Sequence, residues 1–349
     1  MNWKEGLRQP GVPAALGAAL LFGASTPLAK WLLNAVDPWL MAGLLYLGSG
    51  LGLTLYRRIK HAAIARLPRN DVIWFAGAVL VGGVVAPVLL MIGLTGMPAS
   101  GASLLLNAES IFTTLLAWFA FRENFDRRIV LGMAAILAGA IILSVTGEVR
   151  VTGLWPSLAI LGACFAWGID NNLTRKVSLT DATWIASVKG WVAGTINLAL
   201  AFLLGASIPT TPNIAGAMLV GFLAYGVSLT LFVVGLRHLG TARTGAYFSV
   251  APFFGALIAL FMGDPLTIPL IVAGALMALG TWLHLTERHE HWHVHEATEH
   301  SHEHIHDEHH LHEHDYPVSP GEKHSHKHQH ATVTHSHLHF PDTHHRHRH

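Results

Sequence analysis

The chain has 349 residues, 52% of them apolar and 12% charged, with a mean hydropathy of +0.43 and a formal net charge of +1 at pH 7. That balance fits a membrane protein rather than a charge-rich soluble one, and it gives no reason to expect a nucleic-acid partner. All histidines except His61 and His238 lie at or after His284, so a membrane body of about 285 residues is followed by a soluble tail.

Ten apolar runs follow in order, at about 11–31, 38–56, 72–93, 98–120, 129–146, 153–174, 183–204, 214–236, 242–262 and 266–285. A hydrocarbon core about 30 Å thick takes roughly 20 helical residues, so each run reads as a crossing. The first is too long for the core of a cleavable signal peptide and reads as an uncleaved span. The 34 glycines suit close helix packing. Trp31, Trp39, Trp74, Trp155 and Trp184 fall mostly at run ends, as an interfacial belt. A single cysteine, Cys164, excludes an internal disulfide. Lys4, Arg8, Arg57, Arg58, Lys60, Arg66, Arg69, Arg122, Arg127, Arg128, Arg175, Lys176, Arg237 and Arg243 collect on one side, against only Lys30 and Arg150 on the other. The positive-inside rule then puts both termini in the cytoplasm, in a multi-pass protein of the inner or plasma membrane.

The fourth run, Ala99 to Phe121, carries Glu109 near its middle. A bare charge at that depth costs about 2.5–3.5 kcal/mol or more, so this carboxylate faces protein or water. Two readings stay open: a buried Glu that is protonated or hydrogen-bonded to a neighbouring helix, and a proton-titrating or substrate-contacting group. Ser103, Asn107, Ser110 and Thr114 repeat at spacings that make a polar stripe on one face of a continuous helix. Pro27, Pro87 and Pro252 fall inside runs and predict kinks there.

The body repeats itself. ALLFGASTPLAKW, from Ala19, resembles CFAWGIDNNLTRK, from Cys164, with Phe22-Gly23 matching Trp167-Gly168 and Lys30 matching Arg175. AESIFTTLLAWFAFRE, from Ala108, is echoed by APFFGALIALFMGD, from Ala251. Each copy holds five runs, an odd number, so the second copy is inverted, as in many secondary transporters with a midplane site. The aromatic-Gly pair, the Lys or Arg seven residues later and the fourth run of each half resemble the drug/metabolite transporter superfamily, EamA-type, over about residues 11–285. That resemblance implies a ten-helix exchange or proton-coupled transporter, with substrate held among runs one to four and six to nine. The family's fourth-run proline is present as Pro252 but gives way to Glu109 in the first half, and Tyr46 lies where a basic residue is common. A lone cavity carboxylate favours a cationic substrate or a proton.

Asp170, Asn171 and Asn172 lie near the end of the sixth run, at a depth similar to Lys189 in the seventh, which predicts an Asp170–Lys189 ion pair serving as helix fastener or gate. In the tail, histidine recurs at every second residue: His289, His291, His293, His295; His300, His302, His304, His306; His324, His326, His328, His330; His335, His337, His339. Such tracts bind Zn²⁺, Ni²⁺, Co²⁺ or Cu²⁺ by composition, and they gain charge just below neutral pH, which would suit a pH-responsive tether. Two HExxH strings, His289–His293 and His302–His306, are accidents of that composition, since polar low-complexity sequence cannot build the helix and cleft a zinc protease needs.

The sequence is thus read as an all-α membrane protein with ten transmembrane helices in two inverted five-helix repeats, residues 11–146 and 153–285, plus a disordered cytoplasmic His-rich tail, residues 286–349. It is not an enzyme and requires no cofactor. Glu109, Asn107, Asp170, Asn171 and Lys189 are the substrate or coupling residues, and the tail binds divalent metal through His289 to His306. The substrate is a small metabolite or cation. The alternatives are a transition-metal transporter and a non-transporting metal sensor or store. Runs five and ten could pack on each other or form a homodimer with a second copy.

Overall fold

The computed structural model describes residues 11–63, 65, 67–121, 127–146 and 154–285, and four tail segments, 290–295, 299–304, 324–329 and 333–338. Lys4, Arg8, Arg66, Arg122, Arg150, His289 and His306 lie outside the described residues. The chain divides into two units, Met1–Glu287 and Arg288–His349.

The described part of the first unit is all helical. In chain order it runs α1 (Gly11–Leu32), α2 (Pro38–Ile59), α3 (Val72–Ala78), a π-helical turn (Val79–Val85), α4 (Ala86–Thr95), α5 (Ala99–Leu105), α6 (Ala108–Phe121) and α7 (Arg127–Thr146). It continues as α8 (Trp155–Val177), α9 (Ala182–Leu203), α10 (Thr211–Gly221), a second π-helical turn (Phe222–Val227), α11 (Ser228–Phe248), α12 (Ala251–Phe261) and α13 (Ile268–Leu285). Six helices among the described residues are long and apolar enough to cross a membrane: Gly11–Leu32, Pro38–Ile59, Arg69–Thr95, Ala182–Leu203, Thr211–Thr241 and Arg243–Phe261. Their outward faces carry large apolar side chains such as Ile73, Leu203 and Phe261, which are more than two-thirds exposed and suit a lipid surround.

Local chemistry starts the helices where the sequence has turn residues. The Asp37 carboxylate accepts from the Trp39 and Leu40 amides ahead of Pro38, and the Asp181 carboxylate accepts from the Trp184 amide, each satisfying N–H groups that a helix start leaves open. Because lipid tails are as apolar as side chains, the bundle is held by close fit. At the crossing of α2 and α9, a Cβ added to Gly190 would stand 2.4 Å from the Gly50 nitrogen. Helices α7 and α13 pack on each other within one chain.

The fourth run departs from the expected single helix. It ends at Leu105 and restarts at Ala108, and α11 and α12 are interrupted in the same way at Ser249–Val250. Pro252, which has no N–H, sits in the first turn of α12 and accounts for the second interruption. The first has no proline. There the Asn107 amide donates to the Leu104 carbonyl and the Ser110 hydroxyl to the Asn107 carbonyl, at 3.2 and 2.7 Å. Side chains so take up backbone acceptors and compete with helix continuation, and the polar stripe is split by the break.

Four tail segments are described as strands. β1 (Glu290–His295) pairs antiparallel with β4 (Val333–Leu338), and β2 (Glu299–His304) with β3 (His324–Gln329). Alternation of histidine with other residues has the period of a strand.

Candidate functional site

The two interruptions meet at one cleft. It is lined by Phe22 and Thr26 of α1, Glu109 and Thr113 of α6, Phe248 of α11 and Pro252 of α12, with Ser110, Ser249 and smaller residues between them. The first turns of α6 and α12 both border it, so two helix N-termini, with their partial positive charge, face the same space. Glu109 occupies that first turn of α6. It is 8% exposed, and its position lets the helix dipole support a carboxylate that lipid could not.

The repeated aromatic-Gly pair explains how the opening helices come so close. A Cβ on Gly23 of α1 would stand 2.2 Å from the Ala251 carbonyl oxygen at the start of α12. A Cβ on Gly168 of α8 would stand 2.9 Å from the Phe112 Cβ of α6. The opening helix of each half thus supports the interrupted helix of the other. Phe22 and Trp167 meet edge to face, with centroids 5.5 Å apart.

Behind the cleft lies a buried polar network. The Asn171 amide of α8 donates to Glu109 Oε1 at 2.9 Å and to the Thr113 hydroxyl at 3.0 Å. Asn172 donates to the Thr113 and Gly168 carbonyls. Asp170, next in sequence, accepts from the Thr174 hydroxyl at 2.9 Å and forms an ion pair with Lys189 of α9, which is 1% exposed. A Cβ on Gly82, in the first π-helical turn, would stand 2.0 Å from Asp170 Oδ2, so only glycine leaves room for this carboxylate. The Gly82 carbonyl accepts from Tyr46 and Trp167, and the Gly83 carbonyl from Asn197. These donors serve carbonyls that a π-turn frees from the regular ladder.

Of the residues named from sequence, Glu109 borders the cleft, Asn171 holds it, and Asp170 and Lys189 sit one layer behind. Asn107 is turned away, its amide on Leu104 and on the Met277 sulfur. Thr113, Asn172, Thr26 and Ser249 were missed as site residues. Asn172 adjoins two residues that were singled out, and Thr113 lies one helical turn from Glu109; those spacings were the available signals. Of the eight tail histidines named as metal ligands, His291, His293, His295, His300, His302 and His304 lie in β1 and β2, and His289 and His306 lie outside the described residues.

The EamA-like transporter family model matches the chain twice, over residues 9–145 and 154–286. A protein of Methanothermobacter thermautotrophicus described as an uncharacterized transporter is 28% identical over 295 residues, 78% of this chain and 85% of its own. A probable amino-acid metabolite efflux pump of Salmonella typhimurium is 29% identical over 167 residues, which is 47% of this chain and 52% of the pump. A solved crystal structure aligns with a TM-score of 0.64 at 16% identity, over 80% of this chain and 99% of its own, a likeness of fold alone. The chain is therefore a multi-pass membrane protein that belongs to the EamA-like transporter family, a family of transporters and not of enzymes.

Proposed function

We propose that the protein moves a small amine-bearing or otherwise cationic metabolite by alternating access, with Glu109 as the group that takes substrate or proton in turn. The observation that carries this reading is the position of Glu109, in the first turn of an interrupted helix and on the wall of the cleft. Phe22 and Phe248 line the same space; aromatic faces beside a carboxylate suit an organic cation. The efflux-pump relatives, named for amino-acid metabolites, support an ammonium-bearing substrate.

In this reading the bundle makes ten crossings as two inverted five-helix repeats, residues 11–146 and 153–285, with both termini cytoplasmic in an inner or plasma membrane. The two interrupted helices, each braced by the opposite half, support that symmetry. Asn171 orients Glu109, and the Asp170–Lys189 pair fastens α8 to α9 and parts during the cycle. A divalent metal as substrate is the lesser reading, because the cleft wall beside Glu109 is mostly apolar and would not replace the hydration shell of such an ion.

The test is counterflow in proteoliposomes against a panel of amino acids, amines and polyamines, with Ni²⁺, Co²⁺ and Zn²⁺ alongside. At least one amine should exchange, with flux that falls by ~100-fold in Glu109→Gln while thermal unfolding is unchanged; by rate arithmetic this is about 2.7 kcal/mol. Amine flux undiminished in Glu109→Gln would remove the residue from the mechanism. Metal flux without amine flux would replace the metabolite by a metal.

A further inference from the structure

The cleft lies on one side of the two breaks. Its wall takes Glu109, Ser110 and Thr113 from the helix that follows the first break, and Gly245 and Phe248 from the helix that precedes the second. On the other side stand α5 and the body of α12, which pack on each other and on α1. That side is filled. A Cβ on Gly255 of α12 would stand 2.6 Å from Ser103 Oγ of α5 and 2.7 Å from the Gly23 carbonyl oxygen of α1.

Beyond that plug the chain is tied again, through polar groups. Gly263, at φ 108°, turns the chain back after α12, in a conformation that a residue with a Cβ rarely adopts, and the Asp264 amide returns to the Ala259 carbonyl. The Asp264 carboxylate so placed accepts from the Ser100 amide, in the first turn of α5, at 2.8 Å. Lys30, near the end of α1, donates to the Leu94 carbonyl in the last turn of α4. Both bonds serve backbone groups that helix ends leave open. The corner between α4 and α5 is thus gripped by a cation where one helix ends and by an anion where the next begins, and the two charges lie within electrostatic reach of each other.

The two ties differ in what they join. Lys30 and Leu94 belong to the first half of the chain, so their bond keeps the corner in shape. Asp264 belongs to the second half and Ser100 to the first, so their bond crosses between the halves and must part if this end opens. The interruptions at Leu106–Asn107 and Ser249–Val250 are where α5 and α12 can turn without loss of their own helical bonds. We propose that Asp264 is a latch that holds this end of the cleft shut, that Lys30 positions the corner it grips, and that the latch opens when the cleft is presented to the other side of the membrane. The inference rests on the alternating-access reading but not on the identity of the substrate. A hydrogen bond to a charged acceptor shifts an equilibrium by roughly tenfold or more, which favours the shut form yet lets it open in each cycle.

The test measures access to the cleft with no substrate present. In the full chain, Ser110→Cys with Cys164→Ser leaves one thiol, on the cleft wall, and a membrane-impermeant maleimide is added to right-side-out or to inverted vesicles. Asp264→Ala should raise the rate of labelling from the latch side by about tenfold, and Asp264→Asn, which keeps an acceptor, should raise it by less. Lys30→Met should raise it too, but no further once Asp264→Ala is present. A latch-side rate in Asp264→Ala equal to that of the parent overturns the proposal, and effects of Lys30→Met and Asp264→Ala that multiply remove Lys30 from the latch. Asp264→Ala is also labelled with the buried Cys164 as its lone thiol, which should stay unreactive if the bundle keeps its fold. If Cys164 reacts, the decision passes to Asp264→Asn, whose latch-side rate must exceed the parent's for the latch to stand. Because labelling needs no substrate, the latch can fail while Glu109→Gln still abolishes amine counterflow, and it can hold where no amine is exchanged.

Discussion

The two interrupted helices reach the same geometry by different chemistry. At Ser249–Val250 the break is set by Pro252 and by packing, with Gly23 of α1 pressed against the Ala251 carbonyl, while the Ser249 hydroxyl donates to the Ala246 carbonyl. At Leu106–Asn107 no proline is present, and the break is secured by side-chain hydrogen bonds and by the polar face of α8. A proline costs nothing further once the helix is broken, but it leaves no functional group behind. Replacing it by side chains that compete for the backbone frees the first turn of α6 to carry a carboxylate. The asymmetry between the halves is therefore what puts a single charge on the cleft wall.

The largest effect should come from removing the polar fastening. Lys189→Met leaves Asp170 buried without its cation, which costs about 3–5 kcal/mol where a buried pair is broken from one side. Adding Asp170→Asn to Lys189→Met should recover most of that loss, because both charges are then gone. Thermal unfolding of the three proteins in detergent checks this; no recovery in the double variant would mean that the pair is not the fastener. The packed break should respond to bulk instead. Gly23→Ala puts a methyl 2.2 Å from a backbone oxygen, which can move only with its helix, at about 1–3 kcal/mol. Gly168→Ala meets the Phe112 Cβ at 2.9 Å and should cost less. Equal losses at the two glycines would mean that packing secures both breaks alike. Smaller still, Ser110→Ala removes one hydrogen bond from the Asn107 carbonyl, about 1 kcal/mol, with the helix free to close over the gap.

Much of this contrast was readable in the chain before any coordinates. The aromatic-Gly repeat at Phe22-Gly23 and Trp167-Gly168, the loss of proline opposite Pro252, and the pairing of Asp170 with Lys189 all follow from position and residue type. The break at Leu106–Asn107 was not readable. Apolar runs have no periodic signal for a one-turn interruption, and Ser103, Asn107, Ser110 and Thr114 sit at spacings that a straight helix satisfies equally well. The π-helical turns at Val79–Val85 and Phe222–Val227 were invisible for the same reason, since one extra residue in a uniformly apolar stretch changes no pattern. Thr113 was missed because its role depends on Asn171 and Asn172 of α8, 58 and 59 residues away.

The smallest effect belongs to an ion pair between the end of one span and the residue ahead of another, which serves as a reference for both breaks. Arg57, at the end of α2, reaches Asp181, ahead of α9, at 2.7 Å, and both meet the Thr183 hydroxyl. Partial burial pushes the Asp181 carboxyl up, but the Thr183 hydroxyl, the Arg57 guanidinium and the Trp184 amide together hold it below the usual carboxylate range. A carboxyl lowered by folding adds stability that is complete above its unfolded value, about 3.9, and that is lost as pH falls through the lower folded value. Because the Asp181 side chain is 37% exposed, solvent screens the pair and its worth is that of a surface bridge. Asp181→Asn keeps a good helix cap and removes only the charge. Its unfolding temperature should lie slightly below that of the parent at neutral pH, and the gap should close as pH falls below about 4 and through the lower folded value. A gap that persists at low pH would assign the difference to the cap, whereas closure assigns it to the carboxylate and leaves the two breaks as the sites where larger energies are held.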